Sequence, residues 1–162
     1  MIEFLSPVSK KVLAHKEVLP AGTLGKQIQA YHKKGELPTL ENVGFALLGV
    51  LENRRDVDFI GEELVLDSFR KAFYSLYPGN WDKNILDLGD INKGDTVDDT
   101  YFALRTVVEA LLKKNIIPLI LGGSQDVLYA QYRAYDGFGK MVNMVNVDAN
   151  FDLGDAEKPI NS

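Results

Sequence analysis

The residues best suited to chemistry lie in the stretch NVDANFD, close to the C-terminal end of the sequence. It places Asp148, Asn150 and Asp152 at alternate positions, directly after the apolar run MVNMV. Alternate residues of a strand point to one side, and oxygens of carboxylates and amides are ligands for metal cations. However, Asp and Asn also end strands and cap helices without binding anything. The spacing alone therefore leaves a metal site and a simple turn as equal alternatives.

Two other polar segments also follow apolar runs, and they read DLGDI and LGGSQD. Because sites in open parallel sheets form at the carboxyl ends of the strands, we expect three segments to converge on one edge. These segments are Asp87–Asp90, Gly122–Asp126 and Asp148–Asp152. Carboxylates that lie so close together repel one another unless a cation or hydrogen-bond donors accompany them. The glycine turn in the second segment also leads to a helix N-terminus, which favours an anion.

The elements that position these segments follow from hydrophobic periodicity. Four apolar runs of strand length are Gly44–Val50, Asn84–Asp90, Ile116–Gly123 and Met141–Asp148. Between them lie three amphipathic stretches with helical spacing. Their apolar stripes are Val65, Phe69, Phe73 and Leu76 in the first, Tyr101, Leu104, Val108 and Leu111 in the second, and Leu128, Tyr132 and Tyr135 in the third. Thr96 and Ser124 are the expected N-caps of the second and third helices. This alternation predicts a three-layer α/β/α fold with a mainly parallel sheet.

Composition limits the class of protein. The 162 residues are 46% hydrophobic, carry a formal net charge of −5 and include no cysteine. Mild acidity argues against a nucleic-acid surface, and the lack of cysteine excludes disulfides and thiolate metal sites. No apolar run is long enough to span a bilayer, so we expect a cytoplasmic protein. Residues 1–43 are predicted to form an irregular arm with one short helix around Thr23–Lys33, and residues 44–162 the α/β domain. The two histidines, His15 and His32, fall in the arm and are interpreted as surface or packing residues.

The order ILDLGDI, helix, IIPLILGGSQD, helix, MVNVDANFD resembles the ureohydrolase family of arginase, agmatinase and formiminoglutamase over roughly Gly44 to Asp155. The resemblance implies an arginase-like fold, a manganese cofactor and a linear amidine substrate, attacked by a metal-bridging hydroxide. In that family the glycine pair leads into Gly-Gly-Asp-His-Ser, whose histidine binds manganese. The next strand ends in Asp-Ala-His-x-Asp, which supplies three further ligands, and a later Ser-x-Asp-x-Asp motif supplies the rest.

Carried over to this sequence, the resemblance makes Asp148 and Asp152 match ligand aspartates. Gln125 and Asn150 stand where the two histidine ligands belong, while Ser124 replaces the aspartate of the first motif and Asp126 its serine. The third motif would lie beyond the last residue of the sequence. An amide oxygen is a far weaker manganese ligand than imidazole. We therefore expect no tightly bound manganese in this chain, and assign no catalytic or cofactor-binding residue.

Three functional hypotheses follow from these features. The first is a catalytically impaired or non-catalytic relative of the manganese-dependent hydrolases of linear amidines. The second is an active formiminoglutamase-like C–N hydrolase whose remaining metal ligands lie beyond Ser162, with a small amidine as substrate. The third is an unrelated α/β module that binds a phosphate or a partner. A sheet that stops after four strands exposes an edge, so the chain is expected to be truncated and to form a homo-oligomer or depend on a missing C-terminal half.

Overall fold

The computed structural model describes residues 1–56, 63–80, 82–139 and 141–147. Its strands are β1 (Leu5–Ser6), β2 (Gln29–Ala30), β3 (Val43–Val50), β4 (Asn84–Ile91) and β5 (Ile117–Leu121). Its helices are α1 (Lys10–Val18), α2 (Leu24–Gln27), α3 (Asp67–Tyr74), α4 (Val97–Leu112) and α5 (Val127–Asp136), and a 3₁₀ turn at Ile2–Phe4 precedes β1. Across these ranges, no helix has the length and apolar character needed to cross a lipid bilayer.

The five strands form one mainly parallel sheet, which confirms the predicted fold class. Strand β3 lies at its centre and pairs in parallel with β4 on one side and with β5 on the other. The free side of β4 is lined by the two short strands, β2 in parallel near Leu86 and β1 antiparallel near Ile91. The N-terminal segment therefore completes one edge of the sheet.

Helices cover both faces of the sheet, as predicted. Helices α4 and α5 pack on one face, against Ala46, Leu48 and Val50 of β3. Helices α1, α2 and α3 lie on the opposite face, where Tyr74 packs with Ile85 of β4. The stripe predicted for α4 is confirmed, since Tyr101, Leu104, Val108 and Leu111 are all buried. Thr96 caps this helix in a reciprocal pair with Asp99, so the helix starts where the sequence indicated.

Residues 1–43 differ from the irregular arm that the sequence predicts. Helix α1 begins after Ser9, whose hydroxyl accepts a hydrogen bond from the Val12 amide at 3.2 Å. Within the range predicted for a helix, only the four residues of α2 are helical. Val12 and Leu24 are buried against Tyr74 of α3. Strands of two residues carry no readable periodicity, which is why the sequence did not reveal this packing.

The stripe predicted for α3 is wrong, except at Phe73, which is partly buried against the core. Val65, Phe69 and Leu76 are exposed, and the residues that this helix buries are Arg70 and Tyr74. Burial of an arginine is favourable only when its charge and its donors are satisfied. Here Asp87 of β4 supplies a buried counter-charge, and Asp90 and the Gly89 carbonyl oxygen accept the remaining donors. These partners on β4 decide which side of α3 faces the sheet.

The stripe predicted for α5 is also wrong, except at Tyr135, which is partly buried against the core. Leu128 and Tyr132 are exposed, while Val127, Ala130 and Ala134 are buried against α4. Small side chains allow two helices to approach closely, so the alanine-bearing side packs inward and the larger residues remain outside.

The fourth predicted strand, Met141–Asp148, is not formed in the part that the structure describes. Residues 141–147 belong to no strand, and Met141, Val145 and Val147 are 96%, 90% and 94% exposed. A strand of continuous apolar residues needs a hydrogen-bonded neighbour and cover on both faces. Within the described residues β5 pairs with β3 alone, so this run has neither.

Candidate functional site

The loops after β3 and β5 meet at the carboxyl end of the sheet. The amide of Ser124 donates to the carbonyl oxygen of Glu52 at 2.8 Å, and this hydrogen bond joins the two loops. From here the chain continues to α3 on one face of the sheet and to α5 on the other. Neighbouring parallel strands whose connections leave in opposite directions form the crevice in which α/β proteins bind ligands. We therefore take these two loops as the candidate site.

The carboxylate of Glu52 lies at the centre of the site and is completely buried. Its Oε1 accepts from the backbone amide of Arg54 at 3.0 Å and from Nε of that residue at 2.9 Å. Its Oε2 accepts from a terminal guanidinium nitrogen of Arg54 at 2.6 Å and from the Thr100 hydroxyl at 2.8 Å. Burial alone would raise the pKa of Glu52, but these donors outweigh it and lower the pKa. Glu52 is therefore held as a carboxylate.

Arg54 binds Glu52 with the two-pronged geometry typical of guanidinium–carboxylate pairs. Its other terminal nitrogen donates to the carbonyl oxygen of Asp95 at 3.0 Å, just before α4. The hydrogen bonds to Glu52 raise the pKa of Arg54, against the effect of burial, and the charges of Asp95 and Asp99 contribute to the same shift. The side chain is 33% exposed, so it reaches the buried carboxylate from the solvent side.

Ser124 and Asp126 belong to the same site and face inward. The Asp126 carboxylate accepts hydrogen bonds from the hydroxyls of Ser124 and Tyr101. Burial and the bond to Asp126 raise the pKa of Tyr101. The guanidinium carbon of Arg55 lies 5.5 Å from the centre of the Tyr101 ring, a cation–π distance. Gln125, which lies between the two inward residues, is exposed.

The carboxylates of the DLGD segment are held separately, on the α3 face of the sheet. Nε of Arg70 donates to Asp87 at 2.8 Å, and a terminal nitrogen donates to Asp90 at 2.8 Å. The Tyr74 hydroxyl also donates to Asp87 at 2.8 Å. Burial raises the pKa of Asp90 and outweighs the opposing effect of Arg70. Hydrogen-bond donors from α3 thus satisfy the two carboxylates, which the sequence had predicted to need donors or a cation.

The described part of the site does not fit a manganese ion. Gln125 offers an amide where the resemblance places a histidine ligand, and the oxygens of Asp126 and Glu52 are taken up by donors of the chain. Among residues 1–56, 63–80, 82–139 and 141–147, no group of three His, Cys, Asp or Glu side chains is placed to hold a metal. Asp148, Asn150 and Asp152 lie outside the described residues, so their predicted convergence with this edge remains a prediction.

Sequence reasoning missed the two residues that contribute most to the site, Glu52 and Arg54. The available signal was the charged run ENRRD, which directly follows the apolar run GFALLGVL. A carboxylate placed directly after a buried strand lies at the sheet edge where sites form. His15 and His32 take no part here; they contact the Ser75 hydroxyl and the Ala30 carbonyl oxygen, each at 3.2 Å, near the surface.

Comparison with known proteins adds family information to this geometry. A model of the arginase family matches residues 44–161. Formimidoylglutamase from Macrococcus caseolyticus is 26% identical over 141 residues, which cover 83% of this chain and 44% of that protein. Formimidoylglutamase from Corynebacterium efficiens is 30% identical over 76 residues, which cover 46% of this chain and 24% of that protein. The chain thus spans less than half the length of either relative.

Proposed function

Because the chain belongs to the arginase family, we propose that it is a formimidoylglutamase-like member whose site is catalytically impaired or non-catalytic. The observation that carries this proposal is the loop Ser124-Gln125-Asp126. The Ser124 hydroxyl donates a hydrogen bond to the Asp126 carboxylate. Between them, the Gln125 amide stands where the family has its first histidine ligand. The hydrolysis that the family resemblance implies activates water with the charge of a bound metal, and amide ligands bind manganese weakly. Membership of the family overturns the hypothesis of an unrelated α/β module.

In place of hydrolysis, we propose that the crevice between the loops after β3 and β5 binds a small ligand. The buried carboxylate of Glu52 and the hydrogen-bonded pair of Ser124 and Asp126 support this, because donors of the chain itself hold both carboxylates at this polar edge. The absence of cysteine supports a reducing location, and we propose the cytoplasm.

Metal content and hydrolysis test the loss of catalysis. We expect the purified chain to retain far less than one manganese per molecule after dialysis, as measured by elemental analysis. We expect no hydrolysis of formiminoglutamate, agmatine or arginine when manganese is added. Formimidoylglutamase from Macrococcus caseolyticus, prepared and assayed in parallel, shows that the assay works. Stoichiometric manganese together with turnover would overturn the proposal.

A second candidate function is an active hydrolase whose remaining metal ligands lie beyond Ser162. The observation in its favour is that Asp148 and Asp152 match ligand aspartates of the family, and the family match reaches residue 161. The two relatives, which are both more than twice as long as their aligned parts, are formimidoylglutamases. Chelator-sensitive hydrolysis by the product of the natural gene, with none by residues 1–162 alone, would support this candidate.

We also propose that the chain self-associates. Strand β5 pairs only with β3 in the described part of the sheet, and Ile117 at its start is 52% exposed. An open edge with apolar residues favours pairing with another copy. Light scattering coupled to size-exclusion chromatography is expected to give the mass of a dimer or a larger oligomer. A constant monomer mass up to high protein concentration would contradict this proposal.

A further inference from the structure

Residues 63–66, which we call the strap, lead into α3 without forming a helix or a strand. Along the strap, Leu64 and Leu66 are partly buried, whereas Val65 between them is 60% exposed. Two leucine side chains therefore point toward the protein and the valine points toward solvent. Apolar side chains that are removed from water in this way hold a segment against the surface beneath it.

The surface beneath the strap is formed by the carboxyl ends of β3 and β5. A Cβ built on Gly122, just after β5, would lie 2.8 Å from a methyl carbon of Leu66 and 3.1 Å from one of Leu64. A Cβ built on Gly49 of β3 would lie 2.7 Å from a methyl carbon of Leu66. The two glycines thus leave a notch that the leucines fill. The strap therefore spans the α3 side of the crevice between the loops after β3 and β5.

The two ends of the strap are held unequally. The carbonyl oxygen of Leu66 accepts a hydrogen bond from the Arg70 amide at 3.1 Å, and the side chain of Arg70 is fixed by Asp87. No backbone hydrogen bond joins residues 63–65 to any other part of the chain that the structure describes. Leu64 is held by apolar contact instead. A segment with so few bonds opens at a small fraction of the cost of unfolding the domain.

We propose that the strap is a lid on the α3 side of the crevice, and that it opens at Leu64 while α3 stays in place. The inference rests on the proposed ligand-binding function, because it supplies the way by which a small ligand enters. In the closed position the leucines cover Gly122, two residues before the inward-facing Ser124. Lids of this kind open by local motion over a fixed frame. The crevice is therefore closed most of the time and opens without unfolding of the sheet.

Thiol labelling tests the proposal directly, because the 162-residue chain contains no cysteine. Leu64→Cys, Val65→Cys and Leu66→Cys are each treated with an aromatic disulfide reagent. Each rate is divided by the rate of the same variant unfolded in urea, which cancels differences in intrinsic reactivity. We expect Val65→Cys, the matched control, to react at close to its unfolded rate. Leu64→Cys should react at least about tenfold more slowly, and Leu66→Cys at least about tenfold more slowly again.

Low concentrations of urea separate opening of the strap from unfolding of the whole protein. Local opening exposes little surface, so the labelling rate of Leu64→Cys should change little below the unfolding transition, whereas that of Leu66→Cys should rise. Labelling of Leu64→Cys as fast as that of Val65→Cys would show that the strap is not closed. A rate that rises with urea as steeply as that of Leu66→Cys would show that it opens only with the whole protein. Either result would overturn the proposal.

Hydrogen exchange measures access to the crevice without a cysteine, and covers the case in which the labelled variants fold poorly. The reporter is the amide of Ser124, which donates to the Glu52 carbonyl oxygen at 2.8 Å. In Leu64→Ala this amide is expected to exchange at least about tenfold faster than in the wild type, and in Val65→Ala at the wild-type rate. The amide of Val108, buried within α4, should change much less.

Equal acceleration of the Ser124 and Val108 amides would refute the proposal, because it would show a general loss of stability. An unchanged Ser124 amide in Leu64→Ala would refute it as well. Hydrolysis or manganese binding by the chain, in contrast, would refute the non-catalytic function and leave these exchange and labelling rates unaffected.

Discussion

Asp87 and Asp90 lie on the same face of strand β4, although residues three apart in a regular strand point to opposite faces. The cause is a bulge. Leu47 of β3 is opposite Asp87 and Gly49 is opposite Asp90, so β4 has one residue more than its neighbour over this interval. Gly89, within the bulge, has φ +75°. Both carboxylates therefore meet the guanidinium of Arg70.

This arrangement predicts a large effect for Arg70→Met. The substitution keeps a long side chain in the core but leaves the buried carboxylate of Asp87 without its counter-ion. We expect the free energy of unfolding to fall by about 3–5 kcal/mol, as is typical when one partner of a buried ion pair is removed. Urea unfolding followed by circular dichroism measures this difference. Arg105→Met, which breaks a pair at the surface, should change the free energy of unfolding by less than about 1 kcal/mol. Similar losses in the two variants would show that burial of the Arg70 pair is not decisive.

The bulge predicts a separate effect for Gly89→Ala. A Cβ at this position would overlap the carbonyl oxygen of Ser6 in β1, and the positive φ adds strain for any side chain. Gly35→Ala is the matched control, since Gly35 has φ +87° and no atom of the described residues lies within 4 Å of the added Cβ. The control isolates the strain of a left-handed residue, about 1–2 kcal/mol. We expect Gly89→Ala to lose clearly more than this in urea unfolding. Equal losses would mean that β1 moves aside without cost.

The lowered pKa of Glu52 predicts that the folded protein loses stability in acid. Its pKa is 4.5 in the unfolded chain and lower in the folded one, so the unfolded state binds more protons as the pH falls. The stabilisation is complete above pH 4.5 and is lost as the pH falls through the folded pKa. Asp90 opposes this trend, because its pKa is raised.

Comparison of the wild type with Glu52→Gln isolates the contribution of Glu52. The wild type should lose free energy of unfolding more steeply than the variant from about pH 5 to about pH 3. Glu36→Gln, whose partner Lys33 is exposed, should follow the wild type. Parallel curves for the wild type and Glu52→Gln would contradict the assigned pKa shift.

Restoration of the two histidines predicts a gain in metal affinity without a gain in activity. Gln125→His together with Asn150→His supplies the imidazole ligands that the family uses, so the affinity for Mn²⁺ should rise at least about tenfold, or 1.4 kcal/mol. Stability without metal should stay equal or fall, because a neutral imidazole donates one hydrogen bond where an amide offers two. Titration calorimetry measures the affinity for Mn²⁺, and thermal melts with and without chelator measure the stability. A wild-type chain that already binds manganese as tightly as the double variant would contradict the prediction.

The sequence predicted the fold where local pattern and long-range packing agree. Helix α4 is the best case: Thr96 caps it and its apolar stripe faces the sheet. In α3 the local pattern and the long-range packing disagree. Arg70 is buried because it pairs with Asp87, which lies 17 positions away and outside the helix, so the pattern of α3 alone does not reveal this partner. In α5 the sequence pattern favoured the large apolar residues, whereas close packing against α4 favours alanine.

The candidate site was predicted only in outline. The two described segments of the predicted convergence end at the same edge of the sheet, since Asp90 and Leu121 both lie opposite Gly49 of β3. Ser124, however, contacts the loop after β3, which was not among the predicted segments. The partners in that contact were not predicted, because the pairing of Glu52 with Thr100 spans 48 positions and depends on the position of α4. Motif resemblance directed attention to Asp148 and Asp152, which the described residues do not include.

The attachment of β1 to β4 has a consequence for the order of events during synthesis. The Asn92 side chain donates to the Ser6 hydroxyl across 86 positions of the chain. At translation rates of about 5–20 residues per second, Ser6 waits several seconds for this partner after it is made. Contacts of such sequence separation also form late, since a long loop must close first. Strand β1 therefore cannot pair with β4 until β4 has left the ribosome, whereas α1 and α2 find their partner α3 earlier in synthesis.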